Sequence, residues 1–479
     1  MLYKKGLNLI LSCAIFSFGS HLLVVAQEES ESEESGLVTE LNEPVSSDNH
    51  GRDLLLRPSQ AQDVEIQDRT PITLEEAIDI ALSNNKELQR SRLELERSQE
   101  GLNAALAQRR VFVDGNANLT QSGNQSSGFL GNTNTSTLGG GVEVGYRLYT
   151  GGRVDATIAR AREEINVSEL EIDRLTQNTR FDVGRAYYQL QNADAQVNIA
   201  QAAVEDFTQT LRDAQLLERA GLGTRFDILQ AEVDLANANQ ALTRASGDQK
   251  NARRQLIRVM GVSENIEYTS ADEIAERGEW TLSLEESIVL AYQNRAELDQ
   301  ILARREINQK DREIALSQKR PQVNLFANYN FNTNFADSRS MSSRGYNDGY
   351  NFGARLSWNL VDGGESRARA RQEEISVAID ETNFSDERSA IRLEVETAYN
   401  DLVANRENIA STEQAAITAT ESLRLARLRF QAGVGTQTDV INAQRALTEA
   451  RGNFLQAIIG YNQSFNSLQR AVSQEAIDN

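Results

Sequence analysis

The sequence predicts a mostly helical fold made twice from one unit: helix, strand, strand, very long helix, helix. Three observations predict it. The stretch "AGLGTRFDILQAE" at 220–232 recurs as "AGVGTQTDVINAQ" at 432–444, a spacing of 212 residues. Apolar residues at heptad spacing run for long distances on both sides of each copy. Four further runs alternate apolar and polar residues, the period of a strand with one apolar face.

Composition supports this class. Aromatic residues make up 6% of the chain and there are only four prolines. That balance suits long helices with thin packing seams better than thick globular cores. The net charge of −21, without any cluster of basic residues that would track phosphates, argues against a nucleic-acid partner.

Residues 1–26 read as a signal peptide. Lys4 and Lys5 precede an apolar run from Leu7 to Val25, and Val24-Val25-Ala26 suits signal peptidase. Lipidation of Cys13 is the weaker reading, because the apolar run continues past it. Cleavage after Ala26 removes Cys13 and His21 and leaves His50 as the only histidine. Thiol chemistry, Cys/His metal sites and histidine catalysis are then excluded, and no metal or cofactor is expected. No later stretch has the roughly 18 consecutive apolar residues of a membrane-spanning helix. A membrane role would have to use strands.

Residues 27–70 are polar and acidic ("QEESESEESG") and are expected to form a disordered lead-in. The first repeat spans 71–262 and opens at "PITLEEAI", with Thr73 as N-cap and Glu76 three residues on. The second spans 281–472 and opens likewise at "LSLEESI", with Ser283 and Glu286. Between them, 263–280 reads as an irregular insert, and 473–479 as a C-terminal tail. Each repeat is expected to begin with one helix of about 37 residues and to carry a central one of about 65. In the second, Ile391, Val395, Ala398, Leu402 and Ile409 lie on one seam that alternates large and small residues. A 65-residue helix is roughly 100 Å long, the length of two 37-residue helices set end to end.

The strands are expected at about 111–120, 138–149, 322–333 and 350–360. Val142, Val144, Tyr146 and Leu148 alternate with Glu143, Gly145, Arg147 and Tyr149; Val323, Leu325, Ala327 and Tyr329 alternate with Gln322, Asn324 and Asn328. A half-buried strand of a soluble sheet carries the same pattern. The signal peptide and the long Gly/Ser/Asn/Thr loops at 121–137 and 334–349 favour strands that cross an outer membrane. Four strands cannot close a membrane barrel, which takes about eight at least. Open edges are not tolerated in lipid. The monomer must therefore combine with others in contact with outer-membrane lipid, and three copies would give twelve strands beside twelve helical columns. The corners "YTGGR" and "VDGGE" turn strand into long helix, with Asp362 and Glu365 resembling a capping box.

The duplicated turn reads as the tip of an antiparallel helical hairpin. Gly221, Gly223, Gly433 and Gly435 supply the tight turn. Thr224 and Thr436 cap the following helices, each with an aspartate, Asp227 or Asp439, three residues on. Taken alone, these residues are caps. Leu222 and Val434 either pack beneath the turn or stand free for a partner. No phosphate loop, nucleophile elbow or metal-spaced cluster appears, so no enzyme is expected.

The openings "LEEAI/LEESI", the corners "TGG/DGG" and the two Gly turns together resemble the TolC family of outer-membrane efflux proteins over about residues 70–472. The resemblance implies a homotrimeric tube: a 12-stranded β-barrel in the outer membrane, continuous with a 12-helix α-barrel in the periplasm. Such a tube is the exit duct of an inner-membrane pump or type I secretion ABC transporter, joined through a periplasmic adaptor (membrane fusion protein). The tips Gly221, Leu222, Gly223, Gly433, Val434 and Gly435 would dock the adaptor. Asp439 matches the first of two aspartates that ring the closed aperture, where mutual repulsion would raise their pKa values. The second falls on Asn442, so this chain departs from the double ring. A basic latch residue of the family falls near Gln437 or Gly435, with Arg225 as a substitute from the other copy. Asp227 matches the tip aspartate of the first copy. The competing reading is a trimeric structural or adhesive envelope stalk without transport. Cargo is not legible, because a wide polar tube has no substrate pocket.

Overall fold

A computed structural model describes residues 65–66, 68–124, 133–263, 265–336 and 345–473. The expected signal peptide, nearly all of the acidic lead-in, the middles of both polar loops and all but the first residue of the tail lie outside the described residues.

The first repeat comprises β1 (Asp68–Ile72), α1 (Leu74–Asn84), α2 (Lys86–Ala107), β2 (Phe112–Asn124), β3 (Thr133–Tyr149), α3 (Arg153–Arg219) and α4 (Arg225–Met260). The second comprises β4 (Ile266–Ser270), α5 (Leu284–Asn294), α6 (Ala296–Ser317), β5 (Gln322–Ala336), β6 (Tyr346–Ser357), α7 (Glu365–Gln431) and α8 (Gln437–Val472). The long helices α3 and α7 have 67 residues each, and α4 and α8 have 36 each.

Three sequence expectations need correction. Each opening helix is two helices, not one. At the first break, Asn85 leaves helical geometry and its side chain accepts from the N–H groups of Glu87 (2.8 Å) and Leu88 (3.2 Å). An asparagine side chain competes with the backbone in this way and starts a new helix. At the second break, Arg295 is buried and its guanidinium donates to Glu297 (3.0 Å), Glu394 (2.7 Å) and the Ala471 carbonyl (3.2 Å). Secondly, the insert is not wholly irregular. Its β4 pairs in parallel with β1, from Asp68↔Ile266 to Ile72↔Ser270, so residues 68–70, expected in the disordered lead-in, belong to the folded unit. The remainder of the insert is tied to the helices: Tyr187 donates to Asp272 (2.7 Å), and Asn462 donates to the Ala275 carbonyl (2.9 Å). Thirdly, Asp362 and Glu365 do not form a capping box. Asp362 itself accepts from Gly364 N–H and Ser366 N–H, each at 3.0 Å, while Gly364 is the N-cap.

The half-length helices stack along the long ones. α2 and α4 pack against α3; α6 and α8 lie between α3 and α7. Two apolar clusters hold these columns at mid-length. One joins Val183, Leu190, Leu256 and Met260, and the other Ile391, Val395, Tyr461 and Leu468. Each fully buried Leu or Ile contributes about 1.5–3 kcal/mol relative to exposure. Among the described residues, no helix is long and apolar enough to cross a membrane.

The strands at the far end form one antiparallel sheet in the order β2-β3-β5-β6. They run somewhat differently from the expected spans: β2, β3 and β5 extend further into the loops, and β6 ends at Ser357. Register places Val113, Val144, Ala327 and Phe352 on one face. This face is apolar and open: Val113 is 64% exposed, Tyr350 81% and Phe352 79%. The opposite face carries Asp114, Glu143, Asn328 and Asn351 in one row. Among the described residues, no strand pairs with the outer edges of β2 and β6.

Candidate functional site

The duplicated Gly turns form the two helical tips. Each ends its long helix in a Schellman motif. Leu222 N–H reaches the Leu217 carbonyl (2.9 Å) and Gly221 N–H reaches Glu218 (2.9 Å); Val434 reaches Arg429 and Gly433 reaches Phe430, both at 3.0 Å. Gly221 (φ +74°) and Gly433 (φ +73°) take the left-handed conformation that such a turn requires. Nothing lies within 4 Å of where a side chain would project from either glycine, so both tips face open space. Gly223 and Gly435 are closer to the preceding helix, where a Cβ would stand 3.1 Å from a backbone nitrogen. Leu222 and Val434 do not pack beneath the turns: they are 79% and 70% exposed.

Both following helices start with reciprocal caps. Thr224 N–H donates to Asp227 (2.9 Å) while Asp227 N–H donates to the Thr224 hydroxyl (3.3 Å). Thr436 and Asp439 repeat the pair at 2.9 and 3.2 Å. In the single chain these bonds from Thr436, backbone first and hydroxyl second, hold the Asp439 carboxyl below the usual carboxylate range, and Arg429 adds to the effect. Capping therefore opposes the rise expected from repulsion around a ring. Asp439 and exposed Asn442 line a groove of about 550 Å³ between α7 and α8, opposite Arg429 and Leu425.

The two tips are tied to each other. The Gln437 side chain is buried and its Nε2 donates to the Asp227 carbonyl at 3.0 Å. Further along, Arg445 donates to buried Asp234 at 2.5 Å, and Arg427 to Asp206 at 2.6 Å. Gln444 donates to the Asp206 carbonyl (3.1 Å) and the Thr210 hydroxyl (2.9 Å). Ile441 packs with Ala203, Phe207 and Ala238. Arg225 is exposed at the first position of α4, and the group that bridges the tips is Gln437.

Sequence reasoning missed Arg445 and Asp234, and it missed a second apolar face on α4. Phe226, Leu229 and Val233 point outward at 71%, 49% and 55% exposure. Their 3–4 spacing, offset from the buried Ile228, Ala231 and Ala238, was the available signal. Among the described residues, no group of three or more His, Cys, Asp or Glu side chains is placed to hold a metal ion.

The family model described as "Outer membrane efflux protein" matches residues 77–262 and 287–474, that is, both repeats separately. The chain is 27% identical over 252 residues to "Outer membrane protein TolC" of Vibrio cholerae serotype O1, covering 52% of this chain and 54% of that protein. It thus spans about half the length of that relative. It is 22% identical over 388 residues to "Outer membrane efflux protein BepC" of Brucella suis biovar 1, covering 80% and 82%. The fold is similar to the crystal structure of the Campylobacter jejuni CmeC outer membrane channel, with a TM-score of 0.72 at 14% identity over 85% of this chain and 87% of that one.

Proposed function

The chain belongs to the outer membrane efflux protein family, and on that premise we propose that three copies form a passive exit duct through the outer membrane. The observation that carries the reading is the open sheet. Its apolar face is exposed, and among the described residues both its edges are unpaired; open edges are not tolerated in lipid. Pairing β6 of one copy with β2 of the next closes twelve strands, with the apolar face toward lipid and the polar face toward a lumen. The long helices continue the tube into the periplasm. Exposed apolar residues such as Ile375, Ile379 and Leu393 on α7 are available to the neighbouring copy.

At the far end, the tips at Gly221–Gly223 and Gly433–Gly435 dock a periplasmic adaptor, which recruits an inner-membrane pump or a type I secretion transporter. Asp439 narrows and charges the closed aperture. Gln437, Arg445 and Arg427 hold the second hairpin against the first, so releasing them opens it. Such a duct carries out no chemical reaction and requires no cofactor. Native mass measurement of the mature chain in mild detergent tests the assembly. The expected mass is that of three copies. A monomer removes the basis for a barrel.

A further inference from the structure

The polar face of the sheet carries a pattern that the duct reading does not use. Arg147 stacks on Phe112, its guanidinium carbon 5.0 Å from the ring centre. Arg355 stacks on Phe326 at 4.9 Å. Each clamp is built alike from one hairpin. A phenylalanine on the first strand lies over a glycine on the second, and the arginine follows that glycine by two residues: Gly145-Tyr146-Arg147 and Gly353-Ala354-Arg355. The glycine makes room for the ring. A Cβ on Gly145 would stand 2.1 Å from Phe112 Cζ, and one on Gly353 would stand 3.3 Å from Phe326 Cζ.

Register stacks these groups in layers. Arg147, Asn324 and Arg355 form the row nearest the helices. Phe112, Gly145, Phe326 and Gly353 form the next, and Asp114, Glu143, Asn328 and Asn351 the one beyond. We infer that the two clamps of each copy combine, in the trimer, into a ring of six arginines at the base of the barrel lumen that binds phosphate or carboxylate groups of a solute in transit. The inference rests on the duct reading, which turns this face inward.

The chemistry of the clamp fits an anion. A guanidinium seated over an aromatic face is attracted there by its charge and can still grip two oxygens of a phosphate or carboxylate with its N–H groups. Among the described residues Arg147 donates through Nη1 to the Gln108 carbonyl at 3.4 Å, and Arg355 is exposed. The acidic pair Asp114 and Glu143, directly opposite each other two rows away, repels an anion from the deeper position and keeps it at the arginine row. Rings of Arg or Lys are the usual selectivity element of anion and phosphate pores.

Isothermal titration of the detergent-solubilised full-chain trimer with sodium tripolyphosphate at low salt tests the ring. Saturable binding is expected, and Arg147→Gln/Arg355→Gln should weaken it at least tenfold. Arg110→Gln/Arg367→Gln, at two exposed arginines outside the clamps, should leave it unchanged. If the first pair fails to assemble, Arg355→Gln alone, which keeps Arg147 on its ring, should weaken binding about threefold. Equal affinity in the clamp variants, or no binding by the wild-type trimer, overturns the inference and leaves the duct reading standing. A monomeric native mass instead overturns the duct reading, and the inference with it.

Discussion

The Gln437 side chain donates to the Asp227 carbonyl at 3.0 Å, tying the tip of the second repeat to that of the first. The bond joins two neutral groups, an amide and a backbone carbonyl. The stronger tie between the hairpins lies two turns further along, where Arg445 meets Asp234, which is 3% exposed. Removing the guanidinium leaves a buried carboxylate that still accepts from the Gln230 side chain at 3.1 Å. Loss of a partner to a buried polar group costs about 1–3 kcal/mol. Arg445→Ala is therefore expected to raise the conductance of the reconstituted channel severalfold, with Gln437→Ala adding to it. Unchanged conductance in the double variant would assign these bonds to folding alone.

Asp439 is expected to make the closed aperture modestly cation-selective. Asp439→Asn, itself a good helix cap, should reduce both the selectivity and any block by divalent cations while leaving the fold intact. A purely capping role predicts no change in either. The effect should be weaker than in a relative with two acidic rings, since Asn442 is neutral.

The pH dependence has a definite sign. Hydrogen bonds from Thr436 lower the Asp439 pKa. A lowered carboxylate pKa contributes stability that is present above the unfolded-state value and is lost as pH falls through the folded-state value. Selectivity is thus expected to persist at pH 5 as at pH 7 and to fade only below the ordinary carboxylate range. Fading near pH 6 would show that repulsion across the aperture outweighs the cap.

Gly433 separates docking from folding. Its left-handed backbone makes any side chain there cost about 1–2 kcal/mol, yet no neighbour obstructs one. Gly433→Ala and Gly433→Trp should therefore lower stability alike and leave the trimer assembled. Only the tryptophan should prevent co-purification of the periplasmic adaptor from cross-linked envelopes. If both variants bind the adaptor equally, this tip is not the docking surface.

Arg295 tests the break in the second opening helix. It is 5% exposed and shares Glu297 with Arg470, whose guanidinium reaches that carboxylate at 2.7 Å. Burial pushes the Glu297 pKa up, but the two arginines pull it down further. Arg295→Ala leaves Glu297 paired with Arg470 but removes the donors to Glu394 and the Ala471 carbonyl, which costs about 1–3 kcal/mol. Thermal unfolding of the variant should occur well below that of the wild type. A change under about 1 kcal/mol would mean that water replaces the guanidinium.

Much of the architecture was legible because it rests on local chemistry repeated twice. The Thr224–Asp227 and Thr436–Asp439 pairs announce helix starts, and Val142 to Leu148 announces a strand by alternation alone. What stayed hidden depends on distant partners. Residues Asp68–Ile72 include Pro71 and show no alternation, and they become a strand only because Ile266–Ser270 lies beside them. The break at Arg295 follows from carboxylates at Glu297 and Glu394, the second about a hundred positions away. At the tips, the caps could be read but the bridging role of Gln437 could not, since its acceptor is a backbone carbonyl with no side-chain signature. The Phe112–Arg147 and Phe326–Arg355 clamps were invisible for the same reason: register, not spacing, brings them together.

Single-channel recording on the purified protein in a planar bilayer asks whether the assembled trimer is a conducting duct. Discrete conductance steps are expected from the trimer, small in the wild type and larger once Arg445 and Gln437 are replaced. A trimer that inserts and yet passes no current in either form would contradict the duct reading, and would favour a structural stalk.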